Sequence, residues 1–241
     1  MKNTLLLISL ALILVRCGND PAPANSPTTA LAPAAPKPAT LRGLYFQTAQ
    51  GGFLMGCSDL AKNAGGHQSM TSVADQTGQL DSLYRSACQP APVPEESVFA
   101  VLSGTLLQNT LTVTRIDTLQ PKNFFNACVP YEFWCSGTEP FWSLQISQGE
   151  GGIFLKNMAE ESGTAYIWAA PETNGSTLWT YRAKPKLDAA GQPIQVTIRK
   201  QPCNDGMSDL RFDYSAEVKL GGQTLRGCAV RQGERVPKEG E

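Results

Sequence analysis

Tyr214-Ser-Ala-Glu-Val-Lys-Leu-Gly-Gly-Gln-Thr-Leu-Arg-Gly-Cys-Ala-Val230 is the stretch that decides the fold class of this chain. It holds two short strand candidates, residues 214–220 and 224–230, separated by Gly221 and Gly222. Glycine supplies the backbone freedom that a tight turn needs. The stretch therefore predicts two neighbouring strands joined by a turn.

The same arrangement continues toward the amino terminus. Five further short strand candidates precede this stretch, at residues 142–146, 152–156, 164–169, 177–183 and 194–200. Turn-forming residues separate most of them, and no convincing helical pattern interrupts the series. Regularly spaced short strands are typical of an antiparallel barrel or sandwich. We therefore expect a β-barrel-like module over residues 127–231, followed by a polar tail, residues 232–241.

Residues 41–119 predict a smaller β module with one helix. Two hairpins are expected there, with strands at residues 44–47, 52–57, 97–107 and 110–117. The first hairpin turns around Gln50 and Gly51, where glycine favours a tight turn. Apolar residues at helical spacing predict a helix within residues 76–88. Two hairpins that flank one helix favour a partly open barrel of the oligonucleotide/oligosaccharide-binding (OB) type.

The amino-terminal residues have the layout of a secretory signal peptide, residues 1–16. An apolar run follows Lys2 and ends in Leu14-Val-Arg-Cys17, which resembles a bacterial lipobox. Arg16 stands where that pattern has a small residue, so an ordinary signal peptide with a free Cys17 is the alternative. If Cys17 is lipidated, we expect a membrane anchor and a protein of the cell envelope. No aspartate follows Cys17 directly, which favours the outer membrane, with the folded part facing the periplasm.

Residues 17–40 are rich in Pro, Ala, Ser and Thr, a composition that predicts an extended tether. The whole chain has 20 Lys and Arg against 21 Asp and Glu, and no basic stripe stands out. Nucleic acid is therefore not expected as a partner.

Six cysteines remain when Cys17 is set aside: Cys57, Cys88, Cys128, Cys135, Cys203 and Cys228. An even number in an envelope protein predicts disulfides, although six cysteines permit fifteen pairings. If each module closes its own bridges, Cys57 pairs with Cys88, and we favour Cys203–Cys228 with Cys128–Cys135. The chain has no Cys-x-x-Cys and a single histidine, His67, so neither a metal site nor a thioredoxin-like role is expected. No cofactor is expected.

Three strings in the second module form the most specific pattern of the sequence: Cys135-Ser-Gly-Thr-Glu-Pro-Phe-Trp142, Cys203-Asn-Asp-Gly-Met-Ser-Asp209 and Leu225-Arg-Gly-Cys-Ala229. Over residues 133–230 they resemble an uncharacterised family of bacterial envelope lipoproteins with Gly-Thr-Glu-Pro-Phe-Trp and Cys-x-Asp-Gly-Met-Ser motifs. That resemblance implies an envelope location and assigns no reaction.

The first module carries a weaker resemblance, on Gly43-Leu-Tyr45, Gly52-Phe53, Cys57, residues 80–84 and residues 98–104. It is similar to the barrel domain of NlpE-type lipoproteins, which are linked to copper resistance and envelope-stress sensing. Copper binding is not implied here, because the chain has no Cys-x-x-Cys. The second module more distantly resembles META/HslJ-like domains and lysozyme-inhibitor lipoproteins in its strands and disulfides.

Glu139, Phe141 and Trp142 are the candidate binding residues. Pro140 suits the entrance to a strand, after which Phe141 and Trp142 face opposite sides. One reading is a strand start with a packed aromatic residue; the other is a rim on which an aromatic face stacks on a sugar or a peptide. The nearby Asp205-Gly-Met-Ser-Asp209 string predicts a disulfide-anchored turn, because it lacks the further ligands of a calcium loop.

No catalytic triad or acid/base pair is visible in the sequence. We therefore expect a non-enzymatic envelope lipoprotein that binds an envelope protein or a glycan, or that senses envelope stress. Two alternatives stay open: an inhibitor of lysozyme or of a protease, and a carrier of a small apolar ligand.

Overall fold

The computed structural model describes residues 35–57, 70–128, 130–188, 190–234 and 236. The expected signal peptide, Cys17 and His67 lie outside the described residues. Two β-sheets and one helix make up the regular structure of the described chain, which confirms the expected mainly β protein with two β modules and disulfides. No helix among these residues is long and apolar enough to cross a membrane.

The first module is a closed five-stranded barrel with one helix. Its elements are β1 (Lys37–Thr48), β2 (Gly51–Gly56), β3 (Met70–Asp75), α1 (Leu80–Cys88), β4 (Val98–Leu107) and β5 (Thr110–Gln120). The strand order is β1-β2-β3-β5-β4, and β4 pairs with β1 to close the barrel. Among the pairings of these five strands, β3 with β5 is parallel and the others are antiparallel. A five-stranded barrel with its helix between β3 and β4 agrees with the expected OB-type arrangement, although the barrel is closed where a partly open one was expected.

The helix α1 begins later than its sequence pattern predicts. Asp75 accepts hydrogen bonds from the backbone N–H groups of Thr77 and Leu80, at 2.8 and 2.9 Å. These bonds hold the residues before Leu80 in a turn and satisfy one of the free donors at the helix start. The helix ends at Cys88, shortly before Pro90, which cannot continue it.

One strand of this barrel, β1, is longer than expected, and another, β3, was not expected. β1 begins at Lys37, so it includes the last residues of the Pro/Ala-rich segment, and Lys37 pairs with Leu106 of β4. Pro38 is tolerated there because only one edge of β1 is paired at that end, and proline lacks one ladder donor. β3 was not expected; its burial is only partial, which leaves a weak apolar pattern.

The second module is a nine-stranded antiparallel sheet. Its strands are β6 (Phe133–Thr138), β7 (Phe141–Ser147), β8 (Gly152–Asn157), β9 (Ser162–Ile167), β10 (Glu172–Asn174), β11 (Leu178–Ala183), β12 (Ile194–Cys203), β13 (Phe212–Leu220) and β14 (Gln223–Arg231). Their order is β10-β11-β12-β13-β14-β6-β7-β8-β9. All seven strands expected from the sequence are present, as β7, β8, β9 and β11 to β14, whereas β6 and β10 were not expected.

The sheet of the second module curls until its two ends meet. Ile167 at the end of β9 donates its backbone N–H to the carbonyl of Lys184 at 2.9 Å, and Lys186 donates to Ala165 at 2.7 Å. These bonds bring β9 against the segment that follows β11, so the sheet encloses a single core and is barrel-like.

Aromatic side chains fill the interior of the second module. Phe133, Trp179 and Tyr214 contact one another with ring centroids 5.2 to 5.8 Å apart, and Trp142 and Tyr181 are buried in the same core. Edge-to-face contacts of this kind add to the stabilisation from apolar burial. The interior of the second module is therefore packed by side chains.

The disulfides correct part of the expected pairing. Cys203 and Cys228 are joined, as expected. Cys57, however, is joined to Cys128, so the expected Cys57–Cys88 and Cys128–Cys135 bridges are wrong. Cys88 and Cys135 are free and buried.

Strand geometry explains the wrong pairing. Neighbouring residues of a strand point to opposite faces. In β2, Leu54 packs inside the first barrel together with Cys88, whereas Met55 packs outside it in a small cluster with Cys57 and Cys128. Cys57 lies two residues beyond Met55 and shares its face, so its sulfur points away from Cys88. Cys135 lies instead in the core of the second module.

Candidate functional site

A surface groove of about 880 Å³ lies on the outer face of the second module; we call it the outer groove. Its floor is formed by β12, β13 and β14. One wall is the turn between β6 and β7, and the other is formed by residues 203–207, from the last residue of β12 onward. All three specific sequence strings of the second module therefore meet at this groove.

The period of the strands makes the floor polar. Val196 and Ile198 of β12 point into the core. Because side chains alternate along a strand, Thr197 and Arg199 point to the groove. Along β13, Ala216 and Val218 face the core, whereas Ser215 and Glu217 face outward. The floor thus offers hydroxyl, carboxylate and guanidinium groups side by side.

The turn between β6 and β7 forms the first wall. Thr138 pairs with Phe141, which leaves Glu139 and Pro140 as a two-residue turn at the groove edge. Phe141 and Trp142 face opposite sides, as expected. Phe141 is 51% exposed and lines the groove, and Glu139 is exposed beside it.

Trp142 is buried beneath the groove and does not line it. Its side chain is only 2% exposed, so a sugar or a peptide cannot stack on it, and its expected place on a binding rim is corrected. The indole Nε1–H donates to the carbonyl of Arg226 at 3.3 Å. Trp142 therefore supports the groove from below by linking β7 to β14.

Two glycines of the sequence strings allow β6 and β14 to approach closely. A Cβ atom on Gly137 would lie 2.2 Å from Nε1 of Trp142, and one on Gly227 would lie 2.0 Å from the carbonyl oxygen of Ser136. Both distances are far below van der Waals contact. Any side chain at Gly227 would push against the neighbouring backbone, so the close packing under the groove requires glycine there.

The second wall is held by its own hydrogen bonds and by the Cys203–Cys228 disulfide. Asp205 accepts hydrogen bonds from the backbone N–H groups of Met207 and Ser208, at 3.0 and 2.9 Å, and from the Ser208 hydroxyl at 2.7 Å. Partial burial alone would raise the pKa of Asp205, but these donors stabilise its charged form and lower the pKa overall. The expected disulfide-anchored turn is thus present, and the Asp205 carboxylate is engaged within the turn.

The two walls are also connected to each other. The Thr138 hydroxyl donates to the carbonyl of Asp205 at 3.1 Å. Beyond Asp205, Gly206 has a left-handed φ of +74°, and Met207 is 68% exposed. The groove therefore lies between two exposed apolar side chains, Phe141 and Met207, on walls that are linked by a hydrogen bond.

The charged groups of the groove differ in how they are paired. Glu217 forms ion pairs with Arg226 at 3.4 Å and with Lys219 at 3.3 Å. Arg199 is exposed and has no ion-pair partner among the described residues. Its guanidinium is therefore available to a carboxylate of a ligand. In the described part of the chain, no cluster of His, Cys, Asp or Glu could hold a metal ion.

Sequence reasoning identified part of this groove and missed its floor. Glu139 and Phe141 were candidates, and both line the groove. Arg199, Gln201 and Met207 were not. The alternation along residues 194–200 could have revealed Arg199 as an outward residue, but not that β6 and β14 lie beside it.

No family model, no curated protein and no solved structure matches this chain. The family resemblances of both modules therefore stay predictions that rest on the quoted residues.

Proposed function

We propose that the protein is a non-enzymatic lipoprotein of the cell envelope, anchored through Cys17, that binds peptidoglycan in the outer groove. The leader, the lipobox-like end and the Pro/Ala-rich segment support the location. The observation that carries the proposal is the meeting of three sequence strings at one groove with a polar floor and an exposed aromatic wall.

The chemistry of the groove suits a glycan strand with carboxylate-bearing substituents. Sugar rings combine apolar faces with hydroxyl groups, and Phe141 offers an exposed ring beside a floor of Thr197, Ser215 and Gln201. Peptidoglycan also carries peptides with carboxylates, for which Arg199 is available. The volume of about 880 Å³ is within the usual range of ligand sites, about 300–1,000 Å³.

The carboxylates of the groove favour binding over hydrolysis. Glycoside hydrolysis generally uses two carboxyl groups on opposite sides of the scissile bond. Glu217 is held in ion pairs, and Asp205 accepts hydrogen bonds from its own turn. Among the carboxylates that line the groove, this leaves only Glu139.

Co-sedimentation of the purified protein with insoluble peptidoglycan tests this proposal, with chitin as a neutral glycan for comparison. We expect Phe141→Ala to weaken binding to both polymers by about tenfold. Arg199→Ala should weaken binding to peptidoglycan alone. Arg182→Ala is the matched control, because Arg182 is exposed in the same module and lies outside the groove.

Equal binding by the wild type, Phe141→Ala and Arg199→Ala would contradict a role of the outer groove. Cleavage of peptidoglycan by the wild type, lost in Glu139→Gln, would contradict the non-enzymatic part of the proposal.

Inhibition of a lytic enzyme is a second candidate, supported by the form of the second wall. A loop that inserts into an enzyme cleft gains affinity when it is rigid before binding. Residues 203–208 are anchored by a disulfide and by Asp205, and Met207 projects from them. Titration of lysozyme with the purified protein tests this function. We expect inhibition that Met207→Lys abolishes; no inhibition at micromolar concentration would rule the candidate out.

A further inference from the structure

A second cleft, of about 130 Å³, lies where the two modules meet; we call it the junction cleft. Glu96 of the first module, Lys122 of the connecting segment and Gln145 and Lys156 of the second module line it. Trp134 and Phe154 add aromatic surface. Both modules belong to one compact unit, Ala34–Glu241, so the cleft is part of the folded body of the protein.

The charged groups around this cleft are almost completely buried and balance one another. Lys122 forms an ion pair with Glu150 at 2.7 Å, and Lys156 forms one with Glu96 at 2.5 Å. All four side chains are at most 14% exposed. Buried charges are tolerated only when they are paired and hydrogen-bonded, so the two pairs keep the cleft neutral overall.

The ammonium groups retain donors beyond these pairs. Lys122 Nζ donates to the Ser97 hydroxyl at 2.6 Å and to Glu150 at 2.7 Å. Lys156 Nζ donates to Glu96 and to the carbonyl of Cys88 at 3.3 Å. An ammonium group has three N–H donors, and two of them are hydrogen-bonded on each lysine within the described residues. The Lys122 ammonium also lies over the ring of Phe154, 5.1 Å from its centroid.

One buried acceptor in the cleft has no donor. The Gln145 side chain is 3% exposed, and its Nε2 donates to Glu150 Oε2 at 2.6 Å. That bond fixes the orientation of the amide. Its Oε1 has no hydrogen-bond partner among the described residues. Buried polar atoms are nearly always hydrogen-bonded, so an unpaired carbonyl in a cleft indicates a place for a donor from elsewhere.

From these groups we infer that the junction cleft binds a small zwitterion, a free amino acid about as large as alanine. Its ammonium group donates to Gln145 Oε1 and approaches Glu96, and its carboxylate accepts from the remaining donors of Lys122 and Lys156. Trp134 and Phe154 cover the short side chain. A ligand with a net charge would unbalance the neutral cleft, and an apolar one would leave Gln145 Oε1 without a donor.

The size of the cleft sets the size of the ligand. An apolar cavity of about 150 Å³ accommodates benzene, which has six non-hydrogen atoms. The junction cleft, at about 130 Å³, therefore suits glycine, alanine or serine and excludes amino acids with long side chains. Because both modules and the connecting segment contribute groups, the bound amino acid also joins the modules. This site is separate from the outer groove and does not depend on the function proposed for it.

Isothermal titration of the full-length protein with alanine, glycine, lactate and ethylamine tests the inference. Lactate lacks the ammonium group of alanine, and ethylamine lacks its carboxylate. We expect alanine and glycine to bind with dissociation constants below about 1 mM, which is within reach of ligands with about five or six non-hydrogen atoms. Lactate and ethylamine should bind at least about tenfold more weakly. Leucine should not bind, because its side chain exceeds the cleft.

Two variants localise the binding. Ser143→Leu fills the cleft from β7 without removing a side-chain hydrogen bond among the described residues, and it should abolish binding of alanine. Gln145→Met keeps the size of the side chain and removes both the acceptor Oε1 and the Nε2–H group that donates to Glu150. In the folded variant, alanine should then bind no better than lactate. Ser215→Leu makes the same change in the outer groove and should leave alanine binding unchanged.

Failure of alanine and glycine to bind the wild type would overturn the inference. Binding of lactate or ethylamine as tightly as alanine would also overturn it. Unchanged binding in a folded Ser143→Leu protein would show that the amino acid binds elsewhere. If neither cleft variant folds, the comparison of alanine with its two half-molecules in the wild type decides.

Discussion

The outer groove and the junction cleft differ in how far apart along the chain their parts lie. The outer groove is built within one sheet, and its disulfide, Cys203–Cys228, spans 25 residues. The junction cleft joins parts of both modules, and the disulfide nearest to the connecting segment, Cys57–Cys128, spans 71 residues. Residues that form a site within one sheet can be recognised as short motifs in the sequence. Residues that form a site between two modules are scattered along the chain and form no motif.

The largest effect expected from this difference is on the two disulfides. Closing a longer loop removes more entropy from the unfolded chain. We expect Cys57→Ala with Cys128→Ala to lower the free energy of unfolding by about 4.4 kcal/mol, and Cys203→Ala with Cys228→Ala by about 3.5 kcal/mol. Urea unfolding under non-reducing conditions measures both values.

The order of the two losses is the informative result. A larger loss of unfolding free energy for the Cys203/Cys228 pair would contradict the dependence on loop length. It would mean that the disulfide at the outer groove stabilises the fold more than the one at the connection between the modules. Cys88→Ala serves as a control for removing a cysteine that forms no disulfide, since Cys88 is free.

The buried charges of the junction provide the next largest effect. Burial alone would raise the pKa of Glu150, but the Lys122 ammonium and hydrogen bonds from Ser97 and Gln145 stabilise the carboxylate and lower the pKa below its ordinary value of 4.5. Glu150→Gln leaves Lys122 buried without a counter-charge. We expect it to lower the free energy of unfolding by about 3 kcal/mol at pH 7.

The pH dependence of this loss follows from the lowered pKa. A carboxyl with a lower pKa in the folded state stabilises the fold above its unfolded pKa and loses that contribution as pH falls through the folded value. The difference between the wild type and Glu150→Gln should therefore be full at pH 7 and shrink below pH 4.5. Glu172→Gln, in an exposed pair with Arg182, should change stability by less than about 0.5 kcal/mol. A constant difference across this range would contradict the charge argument.

The pKa of Glu96, at the same junction, is shifted in the opposite direction from that of Glu150. Burial raises its pKa, and this effect outweighs the attraction of Lys156 and Lys122. A raised pKa favours the folded state below the unfolded pKa and costs stability as pH rises through the folded value. The two carboxylates that face the lysines of the junction thus oppose each other, and Glu150 has the better-paired position.

A smaller effect is expected under the outer groove. Gly227→Ala would place a methyl group 2.0 Å from the backbone carbonyl oxygen of Ser136, so β6 and β14 must move apart. We expect a loss of about 2 kcal/mol in the free energy of unfolding. Gly222→Ala, in the turn between β13 and β14, meets no atom within 4 Å and should be nearly neutral. Equal stabilities of the two variants, measured by thermal unfolding, would refute the close-packing explanation.

The contrast between the two sites also explains what the sequence could predict. Short strands with glycine turns are local features, so seven strands of the second module and the Cys203–Cys228 bridge were predictable. The partner of Cys57 was not, because it depends on which face of β2 points out of the first barrel. The exposed Arg199 and the buried Gln145 carry no local signal, since their roles depend on strands brought beside them by the fold.

The smallest predicted effect concerns the link between the two walls of the outer groove. Thr138→Val keeps the shape of the side chain and removes the hydroxyl that donates to the carbonyl of Asp205. A hydrogen bond of this kind contributes about 1 kcal/mol, so we expect a loss of that size in the free energy of unfolding. Thr180→Val, at a half-buried strand position with no side-chain hydrogen bond among the described residues, is the control.

Hydrogen exchange separates this local effect from a global one. Asp205 should still hold Met207 and Ser208 through its own side chain, so the turn stays formed in Thr138→Val. A loss of about 1 kcal/mol raises the globally unfolded fraction about fivefold, so exchange in β7 and β13 should rise by no more than that factor. Amide exchange in residues 203–208 should increase by more than about fivefold. An equal increase in exchange throughout the second module would instead mean that Thr138 supports the whole sheet, and that the two walls of the groove are not separately held.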